Sequence, residues 1–401
     1  MSTPALERES EQPETGEPEL SVVLPCLNEA DTLEICIRKA QAVFQAHGID
    51  GEVIVADNGS TDGSQDIARA LGARLVPVEQ KGYGSALIGG IRAANGKYVV
   101  MADADDSYDL LELPKFLEQL RLGYDLVQGC RLEIGGGRVL PGAMPFLHRR
   151  WGNPMFSRMA RAWFKAPISD VYCGFRGFSK QFWLELGQSA GGMEFATEMI
   201  IKASLRGSRI AEVPITLHPD GRVSHPPHVR TFKDGWRTLR FFLMYSPRWL
   251  FVVPGALLVA LGIVGYALGL PGVKIGSATL GAHTLLFASL AILCGYQAIL
   301  FAVFTKTFGI AERLVPADRR WMRFYGLINL ERGLILAGVA LVAGAVLLGL
   351  AVSQWASANF GRLDYAHTMR LVIPGATLFA LGWQTILSSF FVSILGMRGT
   401  S

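Results

Sequence analysis

The sequence lacks the short motifs that mark several large function classes. It has no Walker A motif: Gly96-Lys97 lacks both the upstream glycine and the following Ser or Thr, so the phosphate cradle of an ATPase is missing. Lys81-Gly82-Tyr83-Gly84-Ser85 starts like a dinucleotide fingerprint, but Leu87 stands at the third glycine position, which disfavours a dehydrogenase. Neither a nucleophile elbow nor HExxH occurs. A net charge of +4 over 401 residues gives no basis for a nucleic-acid partner. The five cysteines (Cys26, Cys36, Cys130, Cys173, Cys294) have no metal-like spacing and sit in apolar or strand-like settings, as buried free thiols of a reducing compartment do. His218, His225 and His228 lie among prolines at irregular spacing, which makes loop residues of them rather than a zinc site. Residues 1–20 are rich in Glu and Pro and hold no apolar stretch. They are expected to form a disordered tail without the basic and apolar regions of a signal peptide, which leaves the next domain in the cytoplasm.

What is present divides into two parts. From Ser21 to about residue 230 charged and apolar residues mix, and strand-like runs alternate with helical periodicity: Ser21–Leu27, Asp31–His47, Glu52–Ala56, Ser64–Leu71, Arg74–Val78, Ser85–Ala94 and Tyr98–Met101. Repeated βα units of this length imply a mostly parallel α/β sheet covered by helices. Ligands of such sheets bind beyond the carboxyl ends of the strands. Asn28-Glu29, Asp57-Asn58 and Asp103–Asp106 cluster there.

The C-terminal part holds four apolar runs, about Trp249–Leu270, Leu280–Phe304, Leu334–Val352 and Leu371–Leu395. Each has about the 20 residues a hydrocarbon core requires, so residues 247–401 are expected to be an α-helical transmembrane domain. The loop between the second and third runs carries Lys306, Arg313, Arg319, Arg320, Arg323 and Arg332, and the approach to the first carries Arg230, Lys233, Arg237, Arg240 and Arg248. The other two loops hold only Lys274, Arg362 and Arg370. The positive-inside rule places the soluble domain, the basic loop and the C-terminus in the cytoplasm, with the plasma membrane as the expected location. Between the parts, Phe232, Trp236, Leu239 and Leu243 form an apolar stripe beside Lys233, Arg237 and Arg240. That is the pattern of a helix lying in the headgroup layer, at residues 231–246. A basic surface helix of the soluble domain is the alternative.

The strongest chemical signal is Asp103-Ala104-Asp105-Asp106 at the end of a strand. If the chain turns there, two carboxylates face one divalent cation, and hard oxygen ligands suit Mg²⁺ or Mn²⁺. A second reading is helix capping, with Asp106 or Ser107 capping a helix over Leu110–Leu120. Capping accounts for Asp106 and not for Asp103. Asp57-Asn58-Gly59-Ser60 offers a strand-end carboxylate to a base N–H, or simply forms a turn.

SVVLPCLNEADTLE, VIVADNGSTDGS, KGYGSAL and MADADDSYDLLELPKFLEQL stand in the order of family 2 glycosyltransferases with the GT-A (Rossmann-like) fold. VQGCRLEIGGG, HRRWGNP and SDVYCGFRGFS resemble the dolichyl-phosphate mannosyltransferase branch. The resemblance covers about residues 20–230, and so implies a catalytic domain over 21–230. It implies that Pro25, Asn28 and Glu29 lie beside the base and ribose of a nucleotide-sugar and that Asp57 holds the base. Asp103 and Asp105 would hold the metal and diphosphate, with Asp105 nearest the reacting sugar. Arg131 and Arg149 would clamp an acceptor phosphate, helped by Asn153, and Arg222 would close over the donor diphosphate. Asp170 and Arg176 would line the site. Two departures stand out: Asp106 and Ser107 replace the Leu-Gln that often follows the Asp-Ala-Asp, and Leu27 replaces an aromatic residue that often contacts the base. Both GDP- and UDP-hexoses therefore remain candidate donors.

The reading that results is inverting, metal-dependent transfer of a hexose, mannose or glucose, to a polyprenyl or dolichyl phosphate. A phosphate monoester has a second pKa of roughly 6 and is largely ionised at neutral pH, so it needs cationic clamps more than a general base. Arginine suits this through its bidentate fork. A polysaccharide synthase of the same fold would usually show Gln-x-x-Arg-Trp and Thr-Glu-Asp; the first is absent and Thr197-Glu198-Met199 misses the second. A non-catalytic lipid-binding protein is the rival from another class, and the intact Asp103/Asp105 pair argues against it. The sequence leaves room for a homo-oligomer.

Overall fold

The structure, a computed structural model, describes residues 17–223, 231–311 and 329–397. Most of the expected N-terminal tail, His225, His228, Arg230 and the loop arginines 313, 319, 320 and 323 lie outside the described residues. The chain divides into two compact units, Met1–Phe242 and Leu243–Ser401.

The first unit is built on a seven-stranded sheet. Its strands are β1 (Leu20–Cys26), β2 (Gly51–Asp57), β3 (Arg74–Pro77), β4 (Tyr98–Met101), β5 (Leu126–Cys130), β7 (Arg176–Ser179) and β8 (Ile210–Pro214), in the order β3-β2-β1-β4-β7-β5-β8. β1 is buried along its whole length, which explains an apolar run without alternation. β1 to β4 pair in parallel, whereas β7 runs antiparallel between β4 and β5. A two-stranded ribbon of β6 (Arg138–Val139) and β9 (Thr216–Leu217) lies apart.

The helices follow their local signals. α1 (Leu33–His47) ends at Gly48 in the left-handed region, whose N–H donates to the Phe44 carbonyl. α2 is Ser64–Ala70. α3 (Tyr83–Ala93) lies close against β1 because position 90 is glycine: a Cβ there would stand 2.6 Å from Val23. α4 (Leu113–Arg121) has Pro114 in its first turn and follows a 3₁₀ turn at Leu110–Glu112. The cap of that turn is Asp109, which accepts from Leu111 N–H. Asp106 and Ser107 are therefore not the caps. Asp106 takes a left-handed φ of 59° and pairs with Lys39 at 2.8 Å, a long-range ion pair that local pattern does not reveal.

α5 (Asn153–Phe164), α6 (Lys180–Leu186) and α7 (Glu194–Arg206) complete the cover. α8 (Thr231–Tyr245) follows. Phe242 is fully buried, with its ring 5.5–6.0 Å from those of Phe156, Trp163 and Phe164 of α5. Thr238 is buried on the same side, while Trp236 is 60% exposed. Cys26, Cys36, Cys130 and Cys173 are buried thiols as expected, but Cys294 is exposed.

The second unit has four helices long and apolar enough to cross a membrane, Arg248–Gly269, Ala282–Ala311, Leu330–Ser357 and Tyr365–Gly396. The first consists of a π-helical turn and α9 (Val253–Gly269); the others are α10 (Ala282–Ala311), α11 (Leu330–Ser357) and α12 (Tyr365–Met397). The last three, at 28 to 32 residues, exceed the expected runs, because helix continues through the polar flanks. Small residues let backbones approach: a Cβ on Gly255 would meet the Gly295 carbonyl at 2.8 Å, and one on Gly344 the Gly375 carbonyl at 2.7 Å. Tyr266 reaches Ser289 and Thr377, and Tyr296 reaches Thr385, which ties α9, α10 and α12 by hydroxyl contacts.

Candidate active site

Parallel pairing brings the carboxyl ends of β1, β2 and β4 to one edge, and side chains knit the loops beyond them. Asn28, at φ 59°, receives Thr61 N–H on its side chain at 2.9 Å and donates its own N–H to Ser60 Oγ. Thr32 donates to the Ala104 carbonyl at 2.7 Å. Asn58 accepts from Gly82 N–H at 2.7 Å, and Lys81 donates to the Asn58 carbonyl. Pro25 lies within β1, opposite Ala56.

Asp57 is buried, and its carboxylate works within its own turn. It accepts from the N–H groups of Gly59 and Ser60 and from Gln65 Nε2 at 2.8 Å. Turn formation therefore engages both oxygens.

The two carboxylates after β4 have different surroundings. Asp105 Oδ1 accepts from Ser107 N–H and Oγ at 3.0 and 2.6 Å, which leaves Oδ2 to Arg222 Nη1 at 3.2 Å. Asp103 Oδ1 accepts from the Tyr83 hydroxyl at 2.8 Å. Its Oδ2 faces Gly174, where a Cβ would stand 3.1 Å away. Burial, together with the neighbouring Asp105, pushes the Asp103 carboxyl up to about 7, against the opposing effect of the Tyr83 bond. Two hard carboxylates that repel each other fit a divalent cation. Among the described residues no group of three or more His, Cys, Asp or Glu forms a metal cluster; Mg²⁺ commonly takes one or two carboxylates when substrate phosphates supply the rest.

Arg222 crosses the mouth of the site. Nε and Nη2 reach the two oxygens of Glu29 at 2.8 and 2.6 Å, and Nη1 also meets Asp220 at 3.0 Å. Burial would lower its pKa, but Glu29 and Asp105 raise it above the ordinary arginine value. The guanidinium is thus a permanent charge.

The residues expected at the acceptor end are not alike. Arg131 is buried, and its Nε and Nη2 grip both oxygens of the fully buried Asp170 at 2.7 and 2.8 Å. Glu212 steadies that loop by accepting from the N–H groups of Ser169 and Asp170. Arg149 is exposed, on a π-helical turn at His148–Gly152, and pairs with Glu133 at 2.6 Å. Asn153 is buried at the start of α5, with Nδ2 3.4 Å from Met144 Sδ. Arg176 has no exposed surface and donates to the carbonyls of Cys173, Val171 and Ala196. It is a cation satisfied wholly by backbone, behind the site wall. Glu29, Asp105 and Arg222 come together directly, as do Arg131 and Asp170. No contact joins Arg149 to Arg131 among the described residues.

Sequence reasoning gave no role to Tyr83, Gly174 or Lys39. Tyr83 lies within the KGYGSAL segment and Gly174 within SDVYCGFRGFS, but both meet Asp103 only through the fold.

A family model described as glycosyl transferase family 2 matches residues 21–186, and one described as glycosyltransferase family 2 C-terminal transmembrane region matches residues 303–396. The low-salt glycan biosynthesis hexosyltransferase Agl6 of Haloferax volcanii is 37% identical over 381 residues, covering 94% of this chain and 89% of that protein. A dolichyl-phosphate hexose transferase of the same organism is 33% identical over 199 residues, covering 49% of this chain and 82% of that protein. Among solved structures, glucosyl-3-phosphoglycerate synthase from Mycobacterium tuberculosis, in complex with Mg²⁺ and uridine-diphosphate, aligns with 23% identity and a TM-score of 0.46. It covers 57% of this chain and 79% of that one.

Proposed function

Since the chain belongs to glycosyltransferase family 2, we propose that it transfers a hexose from a nucleotide-sugar to a polyprenyl or dolichyl phosphate, with inversion, at the cytoplasmic face of a membrane. The observation that carries this reading is the Asp103/Asp105 pair at the end of β4, with Arg222 bound to Asp105 at 3.2 Å. Pro25, Asn28 and Asp57 line the base and ribose end. A bound Mg²⁺ or Mn²⁺ on Asp103 and Asp105 would neutralise the charge that grows on the diphosphate as the sugar bond breaks.

A lipid phosphate oxygen attacks the anomeric carbon from the face opposite the diphosphate. One C–O bond forms while the other breaks, and the nucleoside diphosphate leaves with the electron pair. The attacking oxygen is already ionised, so the chain needs no base there. Arg149 is exposed and free to exchange Glu133 for a phosphate, whereas Arg131 is held by Asp170 and presents a fixed charge. The similarity to a dolichyl-phosphate hexose transferase supports this acceptor class. Four apolar helices and the exposed Trp236 of α8 support a site held at the bilayer surface, with Arg237, Arg240, Arg248, Lys306 and Arg332 on its cytoplasmic side.

The test is to incubate membranes containing the protein with labelled UDP- and GDP-hexoses and short-chain polyprenyl phosphates. A labelled glycosyl phosphoryl lipid is expected. Label found only in polysaccharide would favour a sugar-hydroxyl acceptor instead.

A further inference from the structure

The segment His218–Val223 is tied across the site at several points. His218 N–H donates to the Ser107 carbonyl and Gly221 N–H to the Asp105 carbonyl, both at 2.9 Å. Val223 N–H donates to Asp31 Oδ2 at 3.0 Å. Glycine at 221 permits the close approach, since a Cβ would lie 2.9 Å from Thr32 Cγ2. The Arg222 guanidinium thereby reaches three carboxylates, Glu29, Asp105 and Asp220, and it holds them unequally. Glu29 receives a two-bond fork at 2.8 and 2.6 Å. Asp105 receives the single Nη1 at 3.2 Å, and Asp220 shares that same nitrogen at 3.0 Å. Such an arrangement can give up the Asp105 contact while keeping the fork, because a parallel pair of charge-assisted bonds is the stronger and more directional grip.

Building on the metal-dependent reading above, we propose that Glu29 is a positioning residue that holds Arg222 as the resident cation of the site, and that a divalent ion reaches Asp105 only by displacing Nη1 of Arg222. Each residue then has a distinct task. Arg222 neutralises Asp105 while the site is empty, so a free ion meets a carboxylate that already has a partner. When the ion arrives with a nucleoside diphosphate, Nη1 leaves Asp105 and finds the diphosphate oxygens. Glu29 keeps the guanidinium plane at the mouth throughout. Metal and nucleotide consequently promote each other's binding, and by linkage each raises the affinity of the other by the same factor. The nucleotide role of Glu29 becomes indirect, exerted through Arg222.

Mn²⁺ binding to the full-length protein in detergent, read from the magnetic-resonance signal of free Mn²⁺, tests this without turnover. Wild type, Arg222→Gln and Arg222→Lys are titrated with Mn²⁺ alone and with added UDP or GDP. Wild type should bind Mn²⁺ alone weakly, and about tenfold or more tighter with the nucleotide that fits. Arg222→Gln should bind Mn²⁺ alone about tenfold tighter than wild type and gain little from nucleotide. Arg222→Lys keeps the charge, so its binding of Mn²⁺ alone should stay weak. If Arg222→Gln binds Mn²⁺ alone no better than wild type while wild type still responds to nucleotide, the displacement idea fails and the metal site stands. If wild type binds no Mn²⁺ under either condition, both fail. Transfer kinetics test Glu29 separately. Glu29→Gln should lower kcat/KM about tenfold, and adding it to Arg222→Gln should cost nothing more, since residues acting as one unit are not additive. Additive losses would give Glu29 a nucleotide contact of its own and overturn its positioning role.

Discussion

The Tyr83 hydroxyl donates to Oδ1 of Asp103 at 2.8 Å, so a half-buried phenol fixes the orientation of one of the two carboxylates proposed to hold the metal. Burial and the neighbouring Asp105 nevertheless push the Asp103 carboxyl up to about 7. Its folded-state value lies above its unfolded one. Between the ordinary carboxylate range and about 7 the folded site therefore holds a proton that the unfolded chain releases, and this contribution to stability is lost as pH rises through about 7. A divalent ion needs the deprotonated form. Mn²⁺ affinity, with nucleotide present, should fall on acidification from pH 8 to 6 and level off above about 7. Tyr83→Phe removes a bond that favours the charged form, so the curve should move to higher pH. Titration of both proteins across this range is the check; a flat profile would exclude proton competition at Asp103.

Asp105→Asn should abolish transfer while the protein still folds. Asparagine retains an oxygen for the Ser107 bonds and removes the charge that faces the cation and Arg222. A loss of about a hundredfold or more in kcat is expected, since a polarising ion supplies several kcal/mol. Near-normal turnover in this variant, or undiminished wild-type activity in excess chelator, would rule out the metal role.

The two arginines proposed for the acceptor end, Arg131 and Arg149, should fail in different ways. Arg131→Ala strands the buried Asp170 charge, and breaking a buried pair costs about 3–5 kcal/mol. A drop of roughly 10 °C in the thermal midpoint is expected, with all activities falling together. Arg149→Ala breaks an exposed pair that contributes about 0–1 kcal/mol, so its stability should hold. Its KM for short-chain polyprenyl phosphate should rise about tenfold with donor KM unchanged. A raised donor KM instead would move Arg149 to the donor diphosphate.

Ser277 lies exposed in the turn between Lys274–Ile275 and Ala278–Thr279. With the exposed Cys294 replaced by serine, a cysteine at 277 should react with an impermeant thiol reagent only from the side opposite the catalytic domain. Labelling from the cytoplasmic side alone would invert the orientation.

Much of this site could be read from the chain because parallel βα units put successive strand ends on one edge. Asn28, Asp57 and Asp103 each close an apolar run, and their convergence follows from that topology. The pairing of charges could not be read. Asp170 stands 39 residues from Arg131, and Glu29 stands 193 from Arg222. The sequence pattern points Arg131, Glu29 and Arg222 at ligands and Asp170 at the site lining, because no local pattern shows that the partners neutralise each other. Arg176 was harder still: three backbone carbonyls satisfy it, and carbonyls leave no trace in residue identity. The capping error had a similar source, since Asp106 and Asp109 are equally good caps locally and Lys39, far away in sequence, pairs with both.

The burial of Phe242 among Phe156, Trp163 and Phe164 has a practical consequence for producing the enzyme without its spans. A chain stopped at residue 230 keeps every proposed site residue but uncovers three aromatic rings on α5, and a side chain of this kind buries about 150–250 Å². Such a fragment should aggregate. A chain stopped after Tyr245 retains the helix that covers those rings. A water-soluble form for ligand soaking is therefore best ended there, at the end of α8.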